Sequence, residues 1–107
     1  MATAITVAEL KTTVANGTNI CVIDVRRKVD FEKSPEMIRE ASWQDPEKVE
    51  EWKANILPDQ EIIVYCVKGG SVSQSVANAL QESHPRVRFL EGGILEWQDN
   101  ENLLDKK

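Results

Sequence analysis

Two short apolar runs, Asn19-Ile-Cys-Val-Ile-Asp-Val25 and Glu61-Ile-Ile-Val-Tyr-Cys66, limit most strongly what this chain can fold into. Each is continuous rather than alternating and too short for a typical helix, which is the pattern of a central strand covered on both faces. Around them the apolar residues take helical spacing. Val7, Leu10 and Val14 share one face behind a capping box at Thr6-Val-Ala-Glu9, which predicts a helix over 7–16 capped by Gly17. Asp45-Pro46 offers an N-cap with proline at the first helical position, and Val49, Trp52 and Ile56 continue the pattern until Pro58. Val72, Val76, Ala79 and Leu80 predict another helix starting just past Gly69-Gly70.

Weaker signals fill the rest. Lys28-Val-Asp-Phe-Glu-Lys33 offers one helical turn before Ser34-Pro35, and Glu40-Ala-Ser-Trp43 is a faint strand. Arg86-Val-Arg-Phe-Leu90 predicts a third strand, Gly92-Gly93 a turn, and Ile94-Leu-Glu-Trp97 a short closing helix. Strands alternating with helices imply an α/β fold: a small parallel sheet of about five strands with helices on both faces, with 1–107 forming one domain.

The charge balance narrows the partners. A formal net charge of −5 repels phosphates at long range, which argues against nucleic acid or an anionic membrane surface. No apolar run approaches the roughly 18 residues a membrane span needs, and Met1-Ala-Thr-Ala-Ile-Thr6 lacks the regions of a signal peptide, so a cytoplasmic location is expected. Cys21 and Cys66, with a single histidine in the chain, make neither a disulfide scaffold nor a zinc site. Both thiols are expected to be reduced. His84, ahead of Pro85, reads as a surface residue.

The chemistry concentrates at Tyr65-Cys-Val-Lys-Gly-Gly-Ser-Val-Ser73. In an open parallel sheet, ligands bind beyond the carboxyl ends of the strands, and Cys66 falls there. The glycines allow a tight turn whose backbone N–H groups form an anion-binding nest, and the following helix adds its unpaired donors and positive dipole end. Such a ring favours a sulfur anion over a thiol, and the anion is the nucleophile. Lys68 could counter a charge on the sulfur or on a substrate, and the hydroxyls of Ser71 and Ser73 could donate to the same place or cap the helix. A lone cysteine ending an apolar strand is also a common core residue.

The loop Cys66-Val-Lys-Gly-Gly-Ser71 resembles the active-site loop of the rhodanese sulfurtransferases, whose common forms read Cys-Arg-Lys-Gly-Val-Thr or Cys-Arg-Ser-Gly-Asn-Arg. Ile23-Asp-Val-Arg26 is similar to the family's "IDVR" strand end, Ile38 and Ala41 fall where it has "HIPGA", and Gly92-Gly-Ile-Leu-Glu-Trp97 is close to its "GGIxxW" signature. The resemblance implies transfer of a sulfane sulfur from thiosulfate or a persulfide to a thiol or cyanide acceptor through a Cys66 persulfide. It implies no cofactor and no metal. It gives Cys66 as the nucleophile, Val67, Lys68, Gly69, Gly70 and Ser71 as the substrate cradle, and Lys68 as the contact to the substrate anion. Arg26 is either a second such contact or a structural hydrogen-bonding residue. Asp24 would brace the loop, and Trp97 would pack in the core. A protein that accepts sulfur is a further partner the resemblance allows.

Departures from the family pattern carry expectations of their own. Val67 and Ser71 stand where arginine is common, so the loop itself is less cationic than usual. Met37-Ile-Arg-Glu-Ala41 lacks the His and Gly of "HIPGA", which predicts an altered loop beside the site. Cysteine phosphatases of similar fold need an arginine six places after the cysteine, and here Val72 holds that place. A thiol-disulfide role would need Cys21, which lies roughly 10 Å down its strand from the strand end. The competing reading is a sulfur carrier or docking module that serves one protein partner.

Overall fold

In the computed structural model the two apolar runs form the middle of a sheet. The structure describes residues 3–15, 20–34, 36–38, 41–57, 59–99 and 104–106. Strand β1 is Thr3–Ile5, helix α1 Val7–Ala15, strand β2 Ile20–Asp24 and helix α2 Lys28–Lys33. Strands β3 (Glu36–Ile38) and β4 (Ser42–Trp43) follow, then a mixed helical segment: a 3-10 turn Pro46–Lys48, helix α3 Val49–Trp52 and a 3-10 turn Lys53–Asn55. Strand β5 is Glu61–Tyr65, helix α4 Ser71–Gln81, strand β6 Val87–Leu90, helix α5 Gly93–Asp99 and strand β7 Leu104–Lys106. Gly17, Asn19, Pro35, Glu40 and Pro58, which the sequence pattern uses as boundaries, lie outside the described residues.

Five strands pair in parallel in the order β1-β6-β5-β2-β4. Strand β2 lies on β5 in a register that sets Ile20 opposite Glu61 and Asp24 opposite Tyr65, so both strands end at one level. Because side chains alternate across a strand, the continuous apolar runs feed two cores. Val22, Ile63 and Tyr65 join Leu10, Ile94 and Trp97 on one face. Ile23, Ile62 and Val64 join Trp52, Val76 and Leu80 on the other. Among the described residues, no helix is long and apolar enough to cross a membrane.

The mixed segment after Asp45 begins as the sequence predicts, with the Asp45 carboxylate accepting from the Glu47 N–H at 2.9 Å and proline in the first turn. It is not one regular helix. The Trp52 indole N–H donates to the Asp45 carbonyl at 2.7 Å, and the Ile56 N–H reaches back to Lys53, tightening both ends into 3-10 turns.

Several features differ from the sequence reading. Strands β1, β3 and β7 have no periodic signal, each being three residues long. Strand β1 pairs with β6, and β3 pairs with β7 as a separate antiparallel ladder. Part of the segment expected to be a loop, Met37 and Ile38, therefore lies in a strand. His84 is buried, not a surface residue. The turn after α4 folds its imidazole inward, where Nε2 lies 2.8 Å from the Ile56 carbonyl and Nδ1 lies 2.8 Å from the Ser83 hydroxyl.

Candidate functional site

The shared end of β2 and β5 builds the site. Cys66 is the first residue past β5 and only 6% exposed. Its Sγ–H donates to the Ser73 hydroxyl at 3.2 Å, and that hydroxyl donates to the Gly70 carbonyl at 3.4 Å. Ser73 is fully buried, whereas Ser71 is exposed. The sequence left these two serines equivalent; the first turn of α4 points Ser73 to the sulfur and leaves Ser71 at the surface. A hydroxyl rotates freely enough to accept from a thiol or donate to a thiolate.

The loop from Val67 to Gly70 bends without an internal backbone hydrogen-bonded turn. Its carbonyls are engaged from behind: the Ile94 N–H donates to Cys66 O at 3.0 Å, and the Leu95 N–H donates to Val67 O at 3.2 Å. In a trans peptide unit the N–H lies opposite the carbonyl, so the Val67 and Lys68 N–H groups face away from α5. The glycines make this docking close. Gly69 has φ +72° and a Cβ there would lie 2.7 Å from both Gly92 N and Leu90 O. Gly93, with φ +61°, presses against the Val67 and Cys66 carbonyls. Gly70 is different from the sequence expectation, because φ is −88° and a Cβ there meets nothing.

Behind the loop lies a buried ionic network. Arg26 donates from Nε to both Asp24 carboxylate oxygens at 3.0 and 2.9 Å, and from Nη2 to Asp24 at 2.6 Å and to the Glu36 carbonyl at 3.1 Å. Its guanidinium also lies over the Phe31 ring, which stacks on Trp43 at 5.0 Å, and the Trp43 indole N–H donates to the Arg26 carbonyl at 2.9 Å. The Tyr65 hydroxyl donates to Asp24 at 3.0 Å and accepts from the Ile38 N–H at 3.1 Å. Burial, followed by the Asp24 charge, pushes the Tyr65 phenol well above its ordinary range. Arg26 is 1% exposed and held by Asp24, yet it also borders the recess that opens onto Cys66, so it stands at the site as well as in the network. Asp24 binds the Arg26 N–H at the end of β2 and the Tyr65 hydroxyl next to Cys66, rather than the cysteine loop itself, and Trp97 packs in the core as expected.

A recess of about 290 Å³ opens onto Cys66, and Lys68, Ser71, Arg27 and Asp30 line it. Lys68 is exposed. Arg27 and Asp30 belong to the other strand end, and local reading of the cysteine loop missed them. The signal was available in the topology: parallel β2 and β5, ending level, bring residues just past Asp24 beside those just past Tyr65. Cys21 sits lower on β2, half-buried against the second core, and burial raises its thiol pKa. Both cysteines are free.

Solved structures share this fold. A rhodanese-related protein from Thermoplasma volcanium aligns with a TM-score of 0.82 at 19% identity, covering 98% of this chain and 99% of its own. A rhodanese-like domain protein from Staphylococcus aureus aligns with a TM-score of 0.82 at 23% identity, covering 98% of each chain. A protein of unknown function from Rhodopseudomonas palustris, described as a possible tyrosine phosphatase, aligns with a TM-score of 0.84 at 21% identity, covering 97% of this chain and 85% of its own. No curated protein matches the sequence. The family model described as Rhodanese-like domain matches residues 6–100, nearly the whole chain, and the protein belongs to the rhodanese-like domain family.

Proposed function

We propose that the protein is a sulfurtransferase in which Cys66 carries a sulfane sulfur, as a persulfide, from thiosulfate or a persulfide donor to a thiol or cyanide acceptor. The observation that carries this reading is the loop behind the sulfur, whose Cys66 and Val67 carbonyls are held by α5 so that the adjoining N–H groups face the other way. Fixed donors of this kind stabilise an anion without reorganising during reaction.

The Cys66 thiolate attacks the outer sulfur of the donor. A Cys66 S–S bond forms, the donor S–S bond breaks, and sulfite or a thiolate leaves with the electron pair. The acceptor thiolate then attacks the terminal sulfur of the Cys66 persulfide and regenerates the Cys66 thiolate. Charge and sulfur oxidation level balance at each step, so the transfer consumes no oxidant or reductant. Ser73, 3.2 Å from Sγ, turns its hydroxyl toward the thiolate, and the amides from Val67 to Ser71 receive the persulfide anion. Lys68 meets the incoming donor anion.

Phosphatase chemistry lacks its clamp. Val72 stands six places after Cys66 and lines the recess, and Arg26 is committed to Asp24. The test is turnover of thiosulfate or glutathione persulfide with cyanide as acceptor. Wild type turns over and Cys66→Ser is inactive; turnover retained in Cys66→Ser contradicts the mechanism, and a wild type inert toward every small donor favours a carrier serving one protein.

A further inference from the structure

Arg26 and Arg27 are neighbours in sequence and both border the recess at Cys66, but they differ in exposure and pairing. Arg26 is closed into the network with Asp24. Arg27 is exposed, forms no ion pair with a described residue, and lines the same opening as Cys66 and Lys68. Arg27 also borders a second recess of about 610 Å³, which shares Ser71 and Val72 with the first and extends along Val29, Pro46 and Val76, with the opposite charges of Lys28 and Glu47 at its edge. Val29 is 55% exposed, an apolar side chain facing solvent at the edge of that recess. Thiosulfate needs only the mouth. The larger recess falls within the roughly 300–1,000 Å³ of sites that hold organic ligands.

The geometry points to Arg27 as a specificity-determining residue that holds the carboxylate of an organic persulfide, R–S–S⁻, whose carbon skeleton lies in the recess along Val29, Pro46 and Val76. This deepens the sulfurtransferase reading and rests on it. Asp30 lines the mouth beside Arg27 and Lys68. Arg26, the third cation there, is neutralised by Asp24, so Asp30 offsets one of the remaining two and leaves a single positive charge, which suits a carboxylate better than a dianionic phosphate. The Cys66 thiolate attacks the terminal sulfur, the bond from that sulfur to R–S breaks, and R–S⁻ departs with the electron pair while Arg27 holds its carboxylate. The sulfane sulfur moves as a neutral atom, so no oxidant, reductant or proton is consumed.

Single-turnover loading of Cys66 by glutathione persulfide, by cysteamine persulfide, which has an amine and no carboxylate, and by thiosulfate tests this. Wild type prefers glutathione persulfide over cysteamine persulfide by about tenfold in kcat/KM. Arg27→Ala brings the ratio to roughly one through a rise in KM for glutathione persulfide, and Arg27→Lys restores part of it. Ser75→Trp, which fills the recess away from the mouth, lowers the glutathione persulfide rate relative to thiosulfate. Equal persulfide rates in wild type, or an unchanged ratio in Arg27→Ala, overturn the assignment. Loading by thiosulfate but by neither persulfide removes the role of Arg27 alone, whereas failure of all three donors removes the sulfurtransferase reading and this role with it.

Discussion

A methyl group added at Gly69 would lie 2.7 Å from Gly92 N and Leu90 O, and one added at Gly93 would run into the carbonyl oxygens of Cys66 and Val67. Both residues also have positive φ, which a side chain disfavours. Gly69→Ala and Gly93→Ala should each destabilise the fold by roughly 2–4 kcal/mol in urea unfolding, while Gly70→Ala changes stability by less than about 1 kcal/mol. Comparable losses at all three positions would contradict the packing described. Lys68 is exposed beside the recess. Lys68→Ala should raise KM for thiosulfate roughly fivefold with a smaller effect on kcat, because an exposed cation contributes mainly to binding.

Elements are joined at the site by buried polar groups rather than by apolar contact alone. The Tyr65 hydroxyl ties the end of β5 to Asp24 at the end of β2 and to Ile38 in β3. Its phenol is raised by burial and by the Asp24 charge. The unfolded chain releases the Tyr65 proton near pH 10, whereas the folded chain keeps it to higher pH, so above about pH 10 the native state binds more protons. The contribution is complete below pH 10 and is lost as pH rises beyond it. Stability should therefore fall above about pH 10, and Tyr65→Phe should flatten that fall; an identical alkaline slope in the two proteins would exclude Tyr65 as its source. His84 joins the end of the mixed helical segment, through the Ile56 carbonyl, to the end of α4. His84→Ala should cost about 1–3 kcal/mol in urea unfolding, since it empties the space of a buried imidazole and leaves the part-buried Ile56 carbonyl without its partner.

At the scale of the whole molecule, the sheet centre was legible because β2 and β5 are buried on both faces and read as unbroken apolar runs. The edge strands were not, since three-residue segments such as Thr3–Ile5 are fixed by tertiary partners rather than by their own pattern. The same division holds at the site. Cys66 and Gly69 announce themselves through a local strand, turn and helix sequence. Arg27 and Asp30 reach the mouth only because two strands about forty residues apart end level in a parallel sheet. His84 was misread because the sequence around it is polar, and its burial depends on a carbonyl that the chain supplies 28 residues earlier. The central claim, that Cys66 holds a transferable sulfur, is tested most directly by the intact mass of the protein after incubation with thiosulfate or glutathione persulfide. The mass should rise by one sulfur atom, about 32 Da, which cyanide removes and which Cys66→Ser does not acquire. An unchanged mass with both donors, or the same cyanide-labile sulfur on Cys66→Ser, would contradict it.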